Sequence, residues 1–126
     1  MNVNEKGARG LIKVIDNLHE NSYYAFPAFD DYSPIDLIAV GSSKKAIRLQ
    51  VKYRSRNENG VYGVAASTVS QGKKKLIDKS MIDGWAIYLA EDNKVVYIPK
   101  TIFIKNSFSF RADYPHVTPN IIEQYM

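Results

Sequence analysis

Residues between positions 36 and 52 have the types and spacing that phosphodiester chemistry requires. Asp36 starts an apolar segment, and a Gln-Val-Lys triplet follows at 50–52. A hard cation such as Mg²⁺ prefers oxygen ligands, which the Asp36 carboxylate, the Gln50 side chain and the Val51 carbonyl can supply. A lysine beside the cation can orient the attacking water or neutralise developing charge. We therefore predict that Asp36, Gln50 and Val51 are metal ligands. The predicted catalytic residues are Asp36, Gln50 and Lys52.

A β-hairpin is expected to bring these residues together. The segment that begins at Asp36 is short and apolar, and 46–53 alternates apolar with polar side chains, as a half-buried strand does. Because the start of one antiparallel strand lies beside the end of the next, Asp36 and Lys52 converge in space. Gln50 shares the face of Lys52, since side chains two residues apart in a strand point the same way. Arg48 lies on this face too, so a solvated strand face remains the alternative to a site.

Further helices and strands are predicted around the hairpin. An amphipathic helix is expected over 5–20, where apolar residues recur at helical spacing after a cap at Asn4 or an adjacent residue. The other expected elements are strands at 23–29, 36–40, 46–53, 61–66, 85–89 and 95–99, a short basic helix at 70–79, a strand or short helix at 103–111, and a helical segment at 118–125. There are no repeats, low-complexity tracts or linkers, so residues 1–126 are interpreted as one domain of the α+β (α/β) class.

Composition narrows the possible functions. The chain has 126 residues, 45% of them hydrophobic, which is enough to form a core, and it has no cysteine, which excludes disulfides, zinc ribbons and cysteine nucleophiles. The net charge of +4 favours a polyanionic partner, although a modestly basic soluble protein is the common alternative. No apolar run approaches the roughly 18 residues needed to span a bilayer, and no apolar signal segment is seen, so the cytoplasm is the expected location and no membrane partner is expected.

The chain resembles the PD-(D/E)XK nuclease signature in two segments, SPIDLIAV at 33–40 and LQVKY at 49–53. The second segment is similar to the QxK-type variants found among cyanobacterial group I intron homing endonucleases. The family's first helix resembles the segment that starts at 6–10, and its later strand pair resembles 81–88 and 96–99. The resemblance implies a restriction-endonuclease-like mixed β-sheet flanked by helices, and a metal-dependent endodeoxyribonuclease that uses Mg²⁺ or Mn²⁺ on double-stranded DNA. A homodimer or homotetramer is expected, because one domain offers one active site and cutting both strands needs at least two.

Two positions depart from the family pattern. The family usually has an acidic residue where Gln50 stands, and its first helix often carries a glutamate where this chain has Leu11. The carboxylates that could substitute are Glu5, Glu20, Asp30 and Asp31, and no motif singles one out. A weakened site is therefore one alternative, and a catalytically degenerate module that binds DNA or another protein is a second one.

Basic residues beside and beyond the signature are candidate nucleic-acid contacts. Arg54 and Arg56 follow the signature directly and could hold phosphates next to the scissile bond. The remaining candidates are Lys6 and Arg9 on the predicted first helix, and Lys73, Lys74 and Lys75 in the basic segment. A solvated charged surface is the ordinary alternative for all of them.

Overall fold

The computed structural model describes residues 1–30, 32–65, 67–70, 73–102 and 106–126, with the backbone alone at 67–70 and 73–76. A five-stranded mixed sheet packs against a long helix on one face and against a two-stranded sheet on the other. The elements in chain order are α1 (Val3–Glu20), β1 (Tyr24–Pro27), β2 (Leu37–Val40), β3 (Ala46–Arg54), β4 (Val61–Ala65), β5 (Ser67–Ser70), β6 (Lys73–Leu76), β7 (Gly84–Leu89), β8 (Lys94–Pro99), β9 (Ser107–Arg111) and α2 (Asn120–Gln124), with a 3₁₀ turn at Lys79–Met81.

The strands of the main sheet lie in the order β1–β2–β3–β7–β8. β3 and β7 are parallel, and the other neighbouring pairs are antiparallel. The predicted hairpin is present as β2 and β3, in which Leu37 lies opposite Leu49. The predicted strands at 85–89 and 95–99 are likewise present and form the β7–β8 hairpin. A mixed sheet flanked by helices confirms the predicted fold class.

Alternation of side chains gives the sheet two apolar faces. On one face, Ile47 and Leu49 of β3 pack with Val14 and Leu18 of α1. On the other face, alternate side chains of β7 and β8 pack against the β4–β9 pair, and Trp85 is fully buried there. All six residues of β7 are buried, as expected for a strand that is covered on both faces. α1 therefore lies against β3, the strand that carries most of the predicted site.

The first half of α1 approaches β3 closely. A methyl group in place of the Gly10 hydrogen would lie 3.2 Å from Tyr53 Cβ, so glycine permits the contact. The helix cap is Asn2 and not Asn4 or a residue adjacent to it, as was predicted, because the extended Asn2 backbone lets its side chain accept the Glu5 N–H at 2.9 Å. Gly10, in the first half of α1, thus lies against Tyr53 near the end of β3.

Within the basic segment 70–79, where a helix was predicted, residues 73–76 form strand β6, and that prediction is wrong; residues 71 and 72 lie outside the described residues. β6 pairs with β5 in antiparallel register, with Ser70 opposite Lys73 and Ser67 opposite Leu76. This pairing satisfies backbone donors and acceptors of both strands, which outweighs the helix preference of lysine.

The C-terminal elements agree in type with the predictions. β9 pairs with β4, and α2 follows Pro119 as expected. Ile122 of α2 packs into the core on the α1 side of the sheet. Ala66 of the predicted strand 61–66 lies outside the described residues, as do residues 103–105 of the segment 103–111 that was predicted as a strand or short helix. Within the described part of the chain, no helix combines the length and apolarity that a membrane span requires.

Candidate active site

Asp36 lies immediately before β2, and hydrogen bonds fix both its backbone and its side chain. Its N–H donates to the Leu49 carbonyl at 2.9 Å, and its carbonyl accepts the Ala28 N–H at 2.8 Å. Its side-chain Oδ2 accepts the backbone N–H of Val51 at 2.7 Å. Because these bonds hold the residue from three directions, the carboxylate has a defined position before any ligand binds.

The regular β2–β3 ladder ends at Asp36. The hairpin register, extended by one residue, would put position 36 opposite Gln50. Instead the Asp36 N–H reaches the Leu49 carbonyl, and its carboxylate takes the N–H of Val51. The two strands therefore separate here, and a side-chain oxygen replaces the backbone partner that a continued ladder would provide.

The Val51 carbonyl points toward the side of β3 on which Asp36 lies. Within a strand, the N–H and C=O of one residue face the same neighbour, and successive residues alternate. The carbonyls of Arg48 and Arg54 accept N–H groups from the β7 side at 2.8 and 3.0 Å, so even-numbered residues of β3 face β7. Val51 faces the opposite way, toward the Asp36 carboxylate that its N–H contacts. A carboxylate and a carbonyl are thus brought to one side of the strand.

A cavity of about 250 Å³ opens beside Asp36. Its described lining residues are Gly7, Leu11, Ala28, Asp30, Asp36 and Val51. A methyl group at Gly7 would meet no atom within 4 Å, so this part of α1 leaves open space over the site. Leu11 gives the cavity an apolar wall at the position where the family resemblance implies a glutamate.

Of the substitute carboxylates that the structure describes, Asp30 lines this cavity. It is exposed, and its Oδ1 accepts a backbone N–H of its own loop at 3.1 Å. Glu5 lies in the exposed first turn of α1, and Glu20 lines a separate cavity of about 120 Å³. Asp31 lies outside the described residues. The structure therefore places Asp30 and Asp36 in the lining of one cavity, which the sequence could not do.

The donors around the cavity fit a hard divalent cation. The possible ligands are oxygen atoms, the type that Mg²⁺ and Mn²⁺ prefer: the carboxylates of Asp36 and Asp30 and the carbonyl of Val51. Among the described residues there is no group of three or more histidine, cysteine, aspartate or glutamate side chains that could hold a metal. A set of one or two carboxylates still suits Mg²⁺, because this ion commonly keeps several of its waters.

Gln50 and Lys52 lie on the other face of β3, toward the β4–β9 pair. Gln50 is 4% exposed, and its Oε1 accepts the indole N–H of Trp85 at 2.9 Å. The two residues are neighbours in the parallel β3–β7 register. Lys52 follows two residues later and is partly buried. Trp85 lies in the segment 81–88 that resembles the family's later strand pair, but no pattern in the sequence pairs it with Gln50.

Arg48, the third polar residue of this face, forms an internal ion pair. Its Nη2 lies 2.9 Å from Asp83 Oδ1, and its Nε and backbone N–H donate to Asp83 Oδ2 at 3.2 and 2.8 Å. Burial by itself raises the pKa of Asp83, but the hydrogen bonds and charge of Arg48 outweigh it and hold that pKa below its usual value. Arg48 therefore links β3 to the turn before β7.

The predicted DNA-contact residues differ in their surroundings. Lys6 and Arg9 are exposed on α1, on either side of the Gly7 that lines the cavity. The three lysines predicted to contact phosphate, Lys73, Lys74 and Lys75, all lie on β6.

Arg54 and Arg56 both have contacts within the protein. The Arg54 guanidinium donates to the carbonyls of Gly63 and Tyr53 at 3.1 and 2.8 Å, and burial lowers the pKa of Arg54. Arg56 is half-exposed and lies 3.6 Å from the Asp92 carboxylate. Arg54 thus joins β3 to β4, while Arg56 retains access to solvent.

Two solved structures have a similar fold. A bacterial homing endonuclease superposes with a TM-score of 0.72 at 15% identity, covering 94% of this chain and 85% of that protein. The Holliday junction resolvase Hjc of Archaeoglobus fulgidus superposes with a TM-score of 0.59 at 14% identity, covering 94% and 96%. These likenesses confirm the predicted restriction-endonuclease-like fold. Comparison with curated proteins gives no match.

The sequence itself matches a family. The model of the PD-(D/E)XK endonuclease family aligns with residues 1–123, nearly the whole chain, which confirms the resemblance in the sequence. Nucleases of this family generally use divalent metals. The chain therefore belongs to the PD-(D/E)XK endonuclease family.

Proposed function

We propose that this chain is an endonuclease that uses Mg²⁺ or Mn²⁺ to hydrolyse phosphodiester bonds in double-stranded DNA. Asp36 and the Val51 carbonyl hold the cation, and Asp30 adds a second carboxylate. Lys52 supports the attacking water, and Gln50 assists from the same face of β3. When bound, such a cation stabilises charge on the phosphate and makes its bound water more acidic.

The observation that carries this proposal is the position of the Asp36 carboxylate. It lies where β2 and β3 separate, bonded to the Val51 N–H at 2.7 Å and bordering the cavity. Backbone bonds on both sides of Asp36 hold it there, so little conformational freedom is lost when a ligand binds. A carboxylate with only a local structural role would not need to border an open cavity beside a second carboxylate.

Lys52 has a role that depends on charge. Its ammonium can orient a water or neutralise the negative charge that develops on the phosphate. Removing one such stabilising group typically lowers turnover on the order of 100-fold or more. Partial burial strengthens such an interaction, because the local dielectric is lower than in bulk water.

Charge and the solved relatives support DNA as the substrate. Lys6 and Arg9 are exposed on α1 beside the cavity, where they can contact phosphates that flank the scissile bond. The two similar structures are called a homing endonuclease and a Holliday junction resolvase, and both names imply action on DNA. Because cleavage of both strands needs two active sites, a homodimer or homotetramer is the expected assembly.

Plasmid cleavage tests the proposal. The wild-type chain is expected to nick or linearise supercoiled plasmid with Mg²⁺ or Mn²⁺ and not with EDTA. Asp36→Asn and Lys52→Ala should each lower cleavage on the order of 100-fold. Asp16→Asn and Lys45→Ala, which change exposed residues outside the described cavity lining, are matched controls and should cleave like wild type. Equal cleavage by all variants would reject the assigned roles.

Leu11 favours a second candidate function, a nuclease-fold module that binds DNA without cleaving it. Its side chain lines the cavity where the family pattern has a carboxylate. In that case DNA binding would be salt-dependent, and Mg²⁺ would produce no nicks in the same plasmid assay. Failure to bind any nucleic acid at low salt would instead indicate a protein partner.

A further inference from the structure

Gln50 is one of two buried polar or charged residues found among the described side chains. The other, Asp83, is satisfied by its ion pair with Arg48. Gln50 is satisfied by Trp85, which is fully buried and donates its indole N–H to the amide oxygen at 2.9 Å. Since buried polar groups rarely lack a partner, this bond sets how the amide is oriented.

The chemistry of the indole decides which end of the amide faces it. An indole N–H can only donate, so the atom of Gln50 in contact with Trp85 has to be the amide oxygen. The amide NH₂ group then lies on the other side of the amide carbon. That group carries two donors and no acceptor, so it suits an anionic oxygen and does not suit a cation.

From this geometry we propose that Gln50 binds the scissile phosphate as a hydrogen-bond donor and is not a metal ligand, with Trp85 as the positioning residue that sets its orientation. The inference deepens the proposed function and rests on DNA binding beside Asp36. It reverses the role that the sequence suggests for the Gln50 oxygen. Lys52, two residues along the same face of β3, attracts the same anion.

The described lining of the cavity is consistent with this division of roles. Asp30, Asp36 and Val51 line the cavity, and Gln50 does not belong to its described lining. A glutamine in place of the usual acidic residue also removes a negative charge that would repel phosphate. In this arrangement Asp30, Asp36 and Val51 bind the cation, and Gln50 and Lys52 bind the phosphate.

DNA affinity measured in EDTA tests the donor role without any metal. Gln50→Leu removes the amide at similar volume and is expected to weaken binding of a short duplex about tenfold, the typical loss for a hydrogen bond to a charged group. Trp85→Phe should weaken it about threefold in the wild-type background and not at all in the Gln50→Leu background. A merely structural role of Trp85 would produce the same loss in both backgrounds and would overturn its positioning role.

Binding of Mn²⁺ to the DNA-free protein, followed by electron paramagnetic resonance, tests the metal-ligand alternative. Gln50→Leu should leave the affinity for Mn²⁺ within about twofold of wild type, whereas Asp36→Asn should weaken it about tenfold or more. The inference is overturned if Gln50→Leu weakens Mn²⁺ binding as much as Asp36→Asn and leaves DNA affinity in EDTA unchanged.

A second variant protects the test against misfolding. Gln50→Glu can still accept the Trp85 N–H and so keeps the buried bond, but it has no donor. It should bind DNA more weakly than wild type in EDTA, because the donor is lost and a negative charge faces the phosphate; unchanged DNA affinity would count against the inference. If the wild type binds DNA but never cleaves it with Mg²⁺ or Mn²⁺, the proposed function fails while the comparison in EDTA still decides the role of Gln50. Absence of DNA binding by the wild type would overturn both.

Discussion

The Asp36 carboxylate accepts the backbone N–H of Val51 at 2.7 Å, so the group that we propose to bind metal also completes the hydrogen bonding of β3. The two roles can be separated by substitution. Asp36→Ala leaves the Val51 N–H without this partner and should lower the free energy of unfolding by about 1–3 kcal/mol. Asp36→Asn keeps an oxygen acceptor and should lower it by less than about 1 kcal/mol.

Cleavage should not follow this difference in stability. Both Asp36 variants lack the anionic ligand, so both should lose Mg²⁺-dependent cleavage on the order of 100-fold. Urea denaturation gives the stabilities, and a plasmid assay gives the rates. Nearly wild-type cleavage by Asp36→Asn would show that the residue has only the structural role.

Leu11 permits a gain-of-function experiment. Leu11→Glu places a carboxylate in the lining of the Asp36 cavity, so it should tighten divalent-cation binding and increase Mg²⁺-dependent cleavage. Because Leu11 is partly buried, the metal-free variant should be less stable by about 1–2 kcal/mol. Added Mg²⁺ should then raise its melting temperature more than that of wild type, since a ligand stabilises the state that binds it.

Ile12→Glu is the matched control for this gain. Ile12 is the next residue of α1 and is 64% exposed, so a carboxylate there adds the same charge outside the described cavity lining. It should change neither the Mg²⁺-induced shift in melting temperature nor cleavage. Equal shifts in melting temperature for the two variants would mean that cation binding depends on the net charge of the protein and not on a carboxylate in the cavity.

The Arg48–Asp83 pair predicts how stability depends on pH. Burial opposes ionisation of Asp83, but the bonds from Arg48 prevail and depress its folded-state pKa below the unfolded value of about 3.9. The stability that it contributes is therefore present above about pH 4 and is lost as pH falls through the folded pKa. Asp83→Asn should destabilise the protein at pH 7 and flatten the acid side of its pH–stability profile.

Asp113→Asn provides the comparison for that profile. Asp113 is exposed, so its substitution should leave the stability at pH 7 within about 0.5 kcal/mol of wild type. Thermal melts from pH 3 to 8 measure all three proteins. If the profiles of Asp83→Asn and wild type are parallel below pH 4, the pair does not control acid stability.

Strict alternation made parts of the fold predictable. β3 was predicted to within one residue, because buried Ile47 and Leu49 alternate with polar side chains along it. The segment 70–79 was predicted wrongly, since a run of lysines has no apolar alternation and its strand exists through pairing with β5. The two strands follow each other directly in the chain, but neither alternates apolar with polar residues, so the periodicity that marked β3 was missing here.

Sequence patterns supplied candidate residues for the site, whose roles stay predictions, but not the geometry that relates them. The predicted hairpin was expected to bring Asp36 beside Lys52 at the end of the next strand, and the Asp36 carboxylate does contact that part of β3 through the Val51 N–H. The contact of Gln50 with Trp85 depends on the parallel pairing of β3 and β7, and the place of Asp30 depends on the path of a loop. Neither has a signature in the sequence, because both arise from tertiary packing.

The exposed basic residues of α1 should contribute to DNA affinity through phosphate contacts. Lys6→Ala and Arg9→Ala are each expected to weaken binding of a duplex about equally for all sequences and to reduce the slope of log K against log salt by about 1. Lys45→Ala, an exposed change beside the β2–β3 turn, should leave that slope unchanged. Fluorescence anisotropy between 50 and 200 mM salt, roughly the range in which such contacts dominate, measures the slopes. Equal slopes for all four proteins would place the DNA away from α1.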